Sequence, residues 1–271
     1  MITHSTSWVH DNKLVCSGGK TKRLVIGTSE LRNGKLVSQN KVIKINVAGH
    51  EVIESTSERL LGLIVNNIMT WEQQLYGNGL RAGLIRKLSF VMPKDRLIIM
   101  AEGIFFSLLN YCLEVFGNVW GLETYDETDR QSPAFRKNDN MKLQVLVNKV
   151  LRSSTGLDYE TPVSVLSSRR GQLSVHQRTA VFTLTSVHKV LKIQQLSYSY
   201  FLLCPEQDPD QPGKNQTQCR RVEAKLSISR GSFYYRGSRL YNQLPTSLTS
   251  MANVKSIVKQ WVKVNIPLLP P

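Results

Sequence analysis

Cysteine is scarce in this chain. The 271 residues hold four, Cys16, Cys112, Cys204 and Cys219. Their spacings match no Cys-x-x-Cys or His/Cys zinc pattern, which excludes a zinc finger and a disulfide-rich scaffold. Scattered thiols, and a start (Met1 to Trp8) with neither a basic nor an apolar stretch, argue against a secretory leader. They point to a reducing intracellular compartment, cytoplasmic or nuclear. Acidic charge is scarce too: 20 Asp and Glu stand against 35 Lys and Arg, for a formal net charge of +15. Residues 97–116 form an apolar stretch long enough to span a bilayer. Glu102 and Glu114 within it are too costly in hydrocarbon, so no membrane partner is expected.

Catalytic motifs are also missing. His4, His10, His50, His176 and His188 are scattered, no Gly-x-Ser-x-Gly elbow occurs, and the acidic clusters at 126–129 and 206–210 read as solvated loop charge. Ser17-Gly18-Gly19-Lys20-Thr21 looks like the end of a phosphate loop, but Leu14 stands where the first glycine belongs. It reads as an exposed basic turn carrying Lys20, Lys22 and Arg23. No metal site and no cofactor are expected.

What is present is an α+β pattern. Short strands are expected over 24–27, in a hairpin over 42–54, and over 59–65, an apolar run read as one strand buried on both faces. From Thr70, a plausible cap with Gln73 three residues on, the period becomes helical. Helices are expected over 80–92, 97–116, 141–153, 172–191 and 251–264. On a uniform helical wheel, residues 97–116 put Leu97, Ile98, Ala101, Ile104, Phe105, Leu108, Leu109, Cys112, Val115 and Phe116 on one face. In the last helix Lys255, Lys259 and Lys263 stack at i, i+4 and i+8.

The charge is uneven, with net +13 falling after residue 130. The best binding signal there is a tandem repeat, Arg230-Gly231-Ser232-Phe233-Tyr234-Tyr235 followed by Arg236-Gly237-Ser238-Arg239-Leu240-Tyr241. Two readings stand open for this strand-like run. Its arginines pair with phosphates while Phe233, Tyr234, Tyr235 and Tyr241 stack on bases, or its aromatics are core and its arginines their solvated edge. With Lys22, Arg23, Arg169, Arg170, Arg220 and Arg221, residues Arg230, Arg236, Arg239, Tyr234 and Tyr235 make up the candidate contacts to RNA or DNA, directed at the backbone.

Four segments in order carry a resemblance. They are Trp8 with Asn12-Lys13-Leu14 and Lys20-Thr21-Lys22; Glu58-Arg59-Leu60-Leu61-Gly62-Leu63 with Thr70-Trp71; Val145 to Gly156; and Phe233-Tyr234-Tyr235-Arg236 with Leu240-Tyr241-Asn242-Gln243-Leu244-Pro245. Together the chain resembles the C-terminal part of a non-LTR (LINE-type) retrotransposon reverse transcriptase. Ser17 departs from the usual asparagine and Tyr241 from the usual tryptophan. The resemblance implies a truncated palm edge over 1–69, a helical thumb over 70–121, a polar loop over 122–140 and a basic, mostly helical extension over 141–271 with a disordered loop at 204–221. It implies that Lys20 lies near the incoming nucleotide and that Leu60, Leu61 and Gly62 belong to the primer grip. The family's metal-binding aspartates precede the first matched segment. The chain is therefore expected to be a catalytically incomplete fragment of an RNA-directed DNA polymerase, without the Mg2+ the full enzyme uses. The alternatives are a host-adopted RNA- or DNA-binding protein and a protein-interaction module, with no partner protein indicated.

Overall fold

The computed structural model describes residues 9, 11–13, 17, 20–26, 45–47, 50–68, 70–117, 137–168, 171–193, 203, 219–220, 232–249 and 254–266. The chain is mixed α+β and divides into two units, Met1–Trp71 and Glu72–Pro271.

Among its described residues the first unit holds six short strands in three pairs. β1 (Arg23–Leu24) lies parallel to β4 (Glu54–Ser55), and β2 (Asn46–Val47) is antiparallel to β3 (His50–Glu51). β5 (Ser57–Leu60) and β6 (Leu63–Asn66) form a hairpin with Leu60 opposite Leu63. The expected single strand over 59–65 is thus folded in two. A two-residue hairpin turn needs positive φ at both central residues. Gly62 takes 91° freely, whereas Leu61 takes 48° against its own Cβ. The turn leaves Leu60 63% and Leu61 83% exposed, so neither is core. The buried apolar residues of this unit, among those described, are Val52, Leu63 and Trp71. Thr70 does not cap the next helix. Its N–H donates to Asn66 Oδ1 at 2.7 Å, and its hydroxyl accepts from the same amide.

The second unit begins with α1 (Glu72–Leu88), longer than the pattern suggests because its apolar residues lie on both sides. Asn78, Ala82 and Ile85 face inward while Tyr76, Leu80 and Leu84 are exposed. Asn78 is fully buried, and neither atom of its amide has a hydrogen-bond partner. α1 packs on α5 (Lys137–Thr155).

The expected helix over 97–116 is broken and re-phased. It runs as α2 (Lys94–Met100), a π-helix (Ala101–Phe106), α3 (Ser107–Asn110) and α4 (Leu113–Phe116). A π-turn takes in one more residue than an α-turn, so the apolar face slips by one position. Leu97, Ala101 and Phe105 are buried before the slip, and Phe106, Leu109, Leu113 and Phe116 after it. Leu108 and Val115, on the uniform wheel's inner face, become exposed; Phe106 and Leu113, on its outer face, become core. Cys112, at φ 55°, breaks the chain direction before α4.

α6 (Val163–Ser168) precedes α7 (Val175–Ile193), the centre of this unit. α4, α5, α8 (Phe233–Tyr241) and α10 (Lys255–Asn265) all pack against α7. The pattern placed one face of α7 in the core, but burial runs round it. Ala180, Leu184 and Val187 are inside, and so are His176, Gln177, Thr179, Thr183 and His188. Two of these polar groups donate to main-chain carbonyls, Thr179 Oγ1 to Val175 at 2.9 Å within the helix and Gln177 Nε2 to Ile266 at 2.9 Å, whereas the buried Thr183 hydroxyl has no hydrogen-bond partner. Gln144 of α5 accepts from the Val175 N–H at 2.8 Å, capping the start of α7. α9 (Thr246–Thr249) is a single turn between α8 and α10. In α10 the buried row is Val254, Val258, Val262 and Ile266, with Trp261 half-buried. Among the described residues no helix is long and apolar enough to cross a membrane.

Two glycines set how closely neighbours approach α7. A Cβ on Gly237 would lie 2.7 Å from Val187 Cγ2, and one on Gly117 2.4 Å from Thr179 Oγ1. Val187 is β-branched and locked in its helical rotamer, so it has no room to yield. Gly83 of α1 meets nothing within 4 Å. Two identical substitutions therefore have opposite signs. Gly237→Ala is expected to destabilise the chain by about 1–3 kcal/mol through overpacking. Gly83→Ala is expected to stabilise it by about 0.5–1 kcal/mol by raising helix propensity. Urea midpoints of the two variants check this, and two shifts of the same sign would refute the packing described.

Candidate nucleic-acid interface

The basic turn of the first unit is closed on itself. The N–H groups of Lys20 and Thr21 both donate to the Ser17 carbonyl at 3.1 Å, and Thr21 Oγ1 donates to it at 2.9 Å. Those amides are spent, so they do not cradle a phosphate. Lys20 and Lys22 are exposed, whereas Arg23 donates to the Glu54 carboxylate across β1 and β4. Leu60, Leu61 and Gly62 form the hairpin tip.

The tandem repeat is not strand-like: it enters α8. Ser232 caps the helix, its Oγ accepting from the Tyr235 N–H at 3.3 Å. A helix here buries Tyr235, Arg236, Gly237, Ser238, Leu240 and Tyr241, which an alternating strand would have split between two faces. Tyr235 and Arg236 are each 7% exposed. The Arg236 guanidinium donates to the Gly117 carbonyl, to Glu114 O at 2.9 Å and to Val115 O at 3.2 Å. Those carbonyls belong to the C-terminal end of α4, which an α-helix cannot satisfy internally. A planar, forked cation fits such a cluster of acceptors and complements the negative helix end. Arg236 is therefore neither a phosphate contact nor a solvated edge; it is a cap inside the fold. Arg239 lies over the Tyr235 ring, 4.4 Å from its centre, and Tyr234 packs edge-on to Phe233. Tyr235 is buried, and Tyr234 is half-buried against the core.

The remaining residues of the terminal segment pack as well. The Tyr241 hydroxyl lies 3.1 Å from His188 Nδ1, and burial, with Cys219 nearby, pushes its pKa up to about 12. Asn242 pairs with the main chain of Cys219 in both directions, accepting at 2.6 Å and donating at 2.9 Å. Arg220 is exposed and its N–H donates to the Leu203 carbonyl at 3.0 Å. This edge of the expected loop over 204–221 is thus tied down. Arg169, Arg170, Arg221 and Arg230 lie outside the described residues.

One buried cation was not anticipated. Arg178 of α7 donates to the Leu173 carbonyl at 3.0 Å, to Asn110 Oδ1 at 3.3 Å and to Gln172 Oε1, and sits 4.8 Å above the Phe106 ring. Gln172 in turn donates to Glu102 Oε1 at 3.2 Å. Burial pulls the Arg178 pKa down, and Glu102 partly restores it. The side chain ties the π-helix to the start of α7. Among the described residues no three His, Cys, Asp or Glu side chains gather as metal ligands.

Among the described residues the exposed cations of the second unit are Arg86 and Lys87 on α1, Lys94 and Arg96 on α2, Lys142 and Lys149 on α5, Lys189 and Lys192 on α7, Arg220, and Lys255, Lys259 and Lys263 on α10. The lysines of α10 keep the i, i+4, i+8 spacing of the sequence. No family model, curated protein or solved structure matches the chain.

If Arg236 is a cap, Arg236→Ala should cost about 2–4 kcal/mol of stability by orphaning buried carbonyls. Arg236→Lys should recover only part of this, because an ammonium cannot fork across three acceptors. Denaturant titration reads the loss. In parallel, the salt dependence of nucleic-acid binding by the charge-removing variant Arg236→Gln, read where it is folded, should equal that of the wild type; a slope smaller by about 1 would put Arg236 on a phosphate instead.

Proposed function

We propose that the chain binds RNA or DNA through the phosphate backbone, as the nucleic-acid-holding, non-catalytic part of a LINE-type reverse transcriptase. The observation that carries this reading is uncompensated charge. The chain carries 35 Lys and Arg against 20 Asp and Glu, so its cations exceed its carboxylates by 15. Lysines on several helix surfaces are exposed, where a polyanion can meet them. The ordered resemblance of four segments supplies the more specific assignment. The matched segments are those that hold template and primer, and the family's metal-binding aspartates are not among them.

A second reading, a protein-interaction module, is favoured by α1, which leaves Tyr76, Leu80 and Leu84 exposed along one side. Size-exclusion chromatography of the chain, with and without nucleic acid, separates the two readings. A stable protein complex that forms without nucleic acid favours the second.

The direct test is anisotropy of a labelled RNA hairpin and a DNA duplex titrated with the chain at several salt concentrations. Backbone-directed binding gives a log–log slope of about −0.9 per phosphate neutralised on duplex DNA. Affinity that stays flat from low to high salt contradicts the proposal. With primer–template, Mg2+ and nucleotides, no extension by this chain is expected. Robust extension would contradict the non-catalytic assignment.

A further inference from the structure

Two arginines of the tandem repeat are engaged within the fold, Arg236 on main-chain carbonyls and Arg239 over the Tyr235 ring, which turns the search for phosphate contacts to the exposed cations. α10 offers the best-ordered alternative. Its sequence, Lys-Ser-Ile-Val-Lys-Gln-Trp-Val-Lys-Val-Asn, contains three lysines and no acidic residue. Burial fixes its rotation: Val254, Val258, Val262 and Ile266 are 4%, 0%, 0% and 2% exposed, one row at four-residue spacing. Lys255, Lys259 and Lys263 each follow a member of that row by one residue, so they form a parallel row about 100° round the helix. All three are exposed, and among the described residues none pairs with a carboxylate. Next round the helix stand Ser256 and Gln260, also exposed, with side chains that hydrogen-bond phosphate or sugar oxygens.

Spacing and surroundings support the same partner. Lys255 to Lys263 spans nine residues of helix, about 12 Å, a length over which duplex DNA presents roughly seven charges at about 1.7 Å each. Lys255 stands in the first turn, where the helix dipole is already positive, and neither an acidic residue nor a side-chain cap offsets it. Helix stability does not account for a lysine there. At the other end Lys263 Nζ comes within 3.7 Å of where a Cβ on Gly171 would be. Gly171 follows Arg169 and Arg170 in the chain.

We infer that the Lys255–Lys259–Lys263 face of α10 is the phosphate-tracking surface of this protein, binding a nucleic-acid backbone without reading its bases. The inference rests on the function proposed above and assigns that function to a surface. The face has no aromatic side chain free to stack, and its donors are shared by every nucleotide, so affinity should depend on charge and little on sequence.

The experiment compares two triple variants of the full chain that lose the same charge. One is Lys255→Gln/Lys259→Gln/Lys263→Gln. The other is Lys142→Gln/Lys149→Gln/Lys189→Gln, which removes exposed lysines from α5 and α7. The probe is one RNA hairpin and one DNA duplex, each of two unrelated sequences, titrated at several salt concentrations. The α10 variant should lower the salt slope on duplex DNA by about 3, and the control by less than 1. Restoring charge with Lys255→Arg/Lys259→Arg/Lys263→Arg should restore the slope. Equal losses in the two variants overturn the inference and leave nucleic-acid binding standing. A wild-type chain with no salt-dependent binding overturns both. Should the α10 glutamine variant not fold, acetylation footprinting of the wild type replaces it. Nucleic acid is then expected to protect Lys255, Lys259 and Lys263 more than Lys142 and Lys149, and equal protection overturns the inference.

Discussion

The second unit depends on how closely its helices approach α7. α8 reaches it because residue 237 is glycine, and the chain after α4 reaches it because residue 117 is glycine. Between these two contacts Arg236 spans from α8 to the carbonyls at the end of α4. One dipeptide, Arg236-Gly237, therefore sets both a distance and a connection. The close approach makes burial of an arginine tolerable. Three main-chain carbonyls that would otherwise be unsatisfied receive its donors, and its charge faces a helix end of opposite polarity.

Among the described residues, several arginines are used inside the fold. Arg23, Arg178, Arg236 and Arg239 engage carboxylates, carbonyls, amides and aromatic rings within their own units. Guanidinium groups suit these roles, being planar, forked and weakly hydrated. The exposed positions of α5, α7 and α10 carry lysines, whose compact and strongly hydrated charge makes a poor internal strut and a ready counter-charge for a polyanion. Under the proposed function, a basic composition serves the fold and a polyanionic partner through different residues. The strongest clusters of arginine with aromatics belong to the fold.

This division also explains which features could be read along the chain. α5 and α10 lie where four-residue apolar spacing placed them, because each has one dry and one wet face. The α2–α4 stretch defeated the same method. A uniform wheel cannot contain a π-turn, and one extra residue at 101–106 exchanged Phe106 and Leu113 for Leu108 and Val115. α1 hid its length because leucines lie outside and an asparagine inside, so no clean period forms. Leucine rarely takes positive φ, so an apolar run through Leu61 gives no sign of a turn there; the hairpin closed with Gly62 holds it at 48°. Within the candidate site, Lys20 and Lys22 are exposed as a basic turn requires. Arg236 and Tyr235 could not be placed by local pattern, because their surroundings are supplied by α4 and α7, more than forty residues away in the chain.

Hydrogen exchange read peptide by peptide, with and without a nucleic-acid duplex, tests the central claim most directly: the tandem repeat builds the core, and the backbone is held from the outer face of α10. The account predicts that peptides covering 233–241 are strongly protected in the free chain and do not change on binding. Peptides covering 255–265 should slow when the duplex is added. Rapid exchange over 233–241 in the free chain, with protection appearing there only on binding, would contradict it.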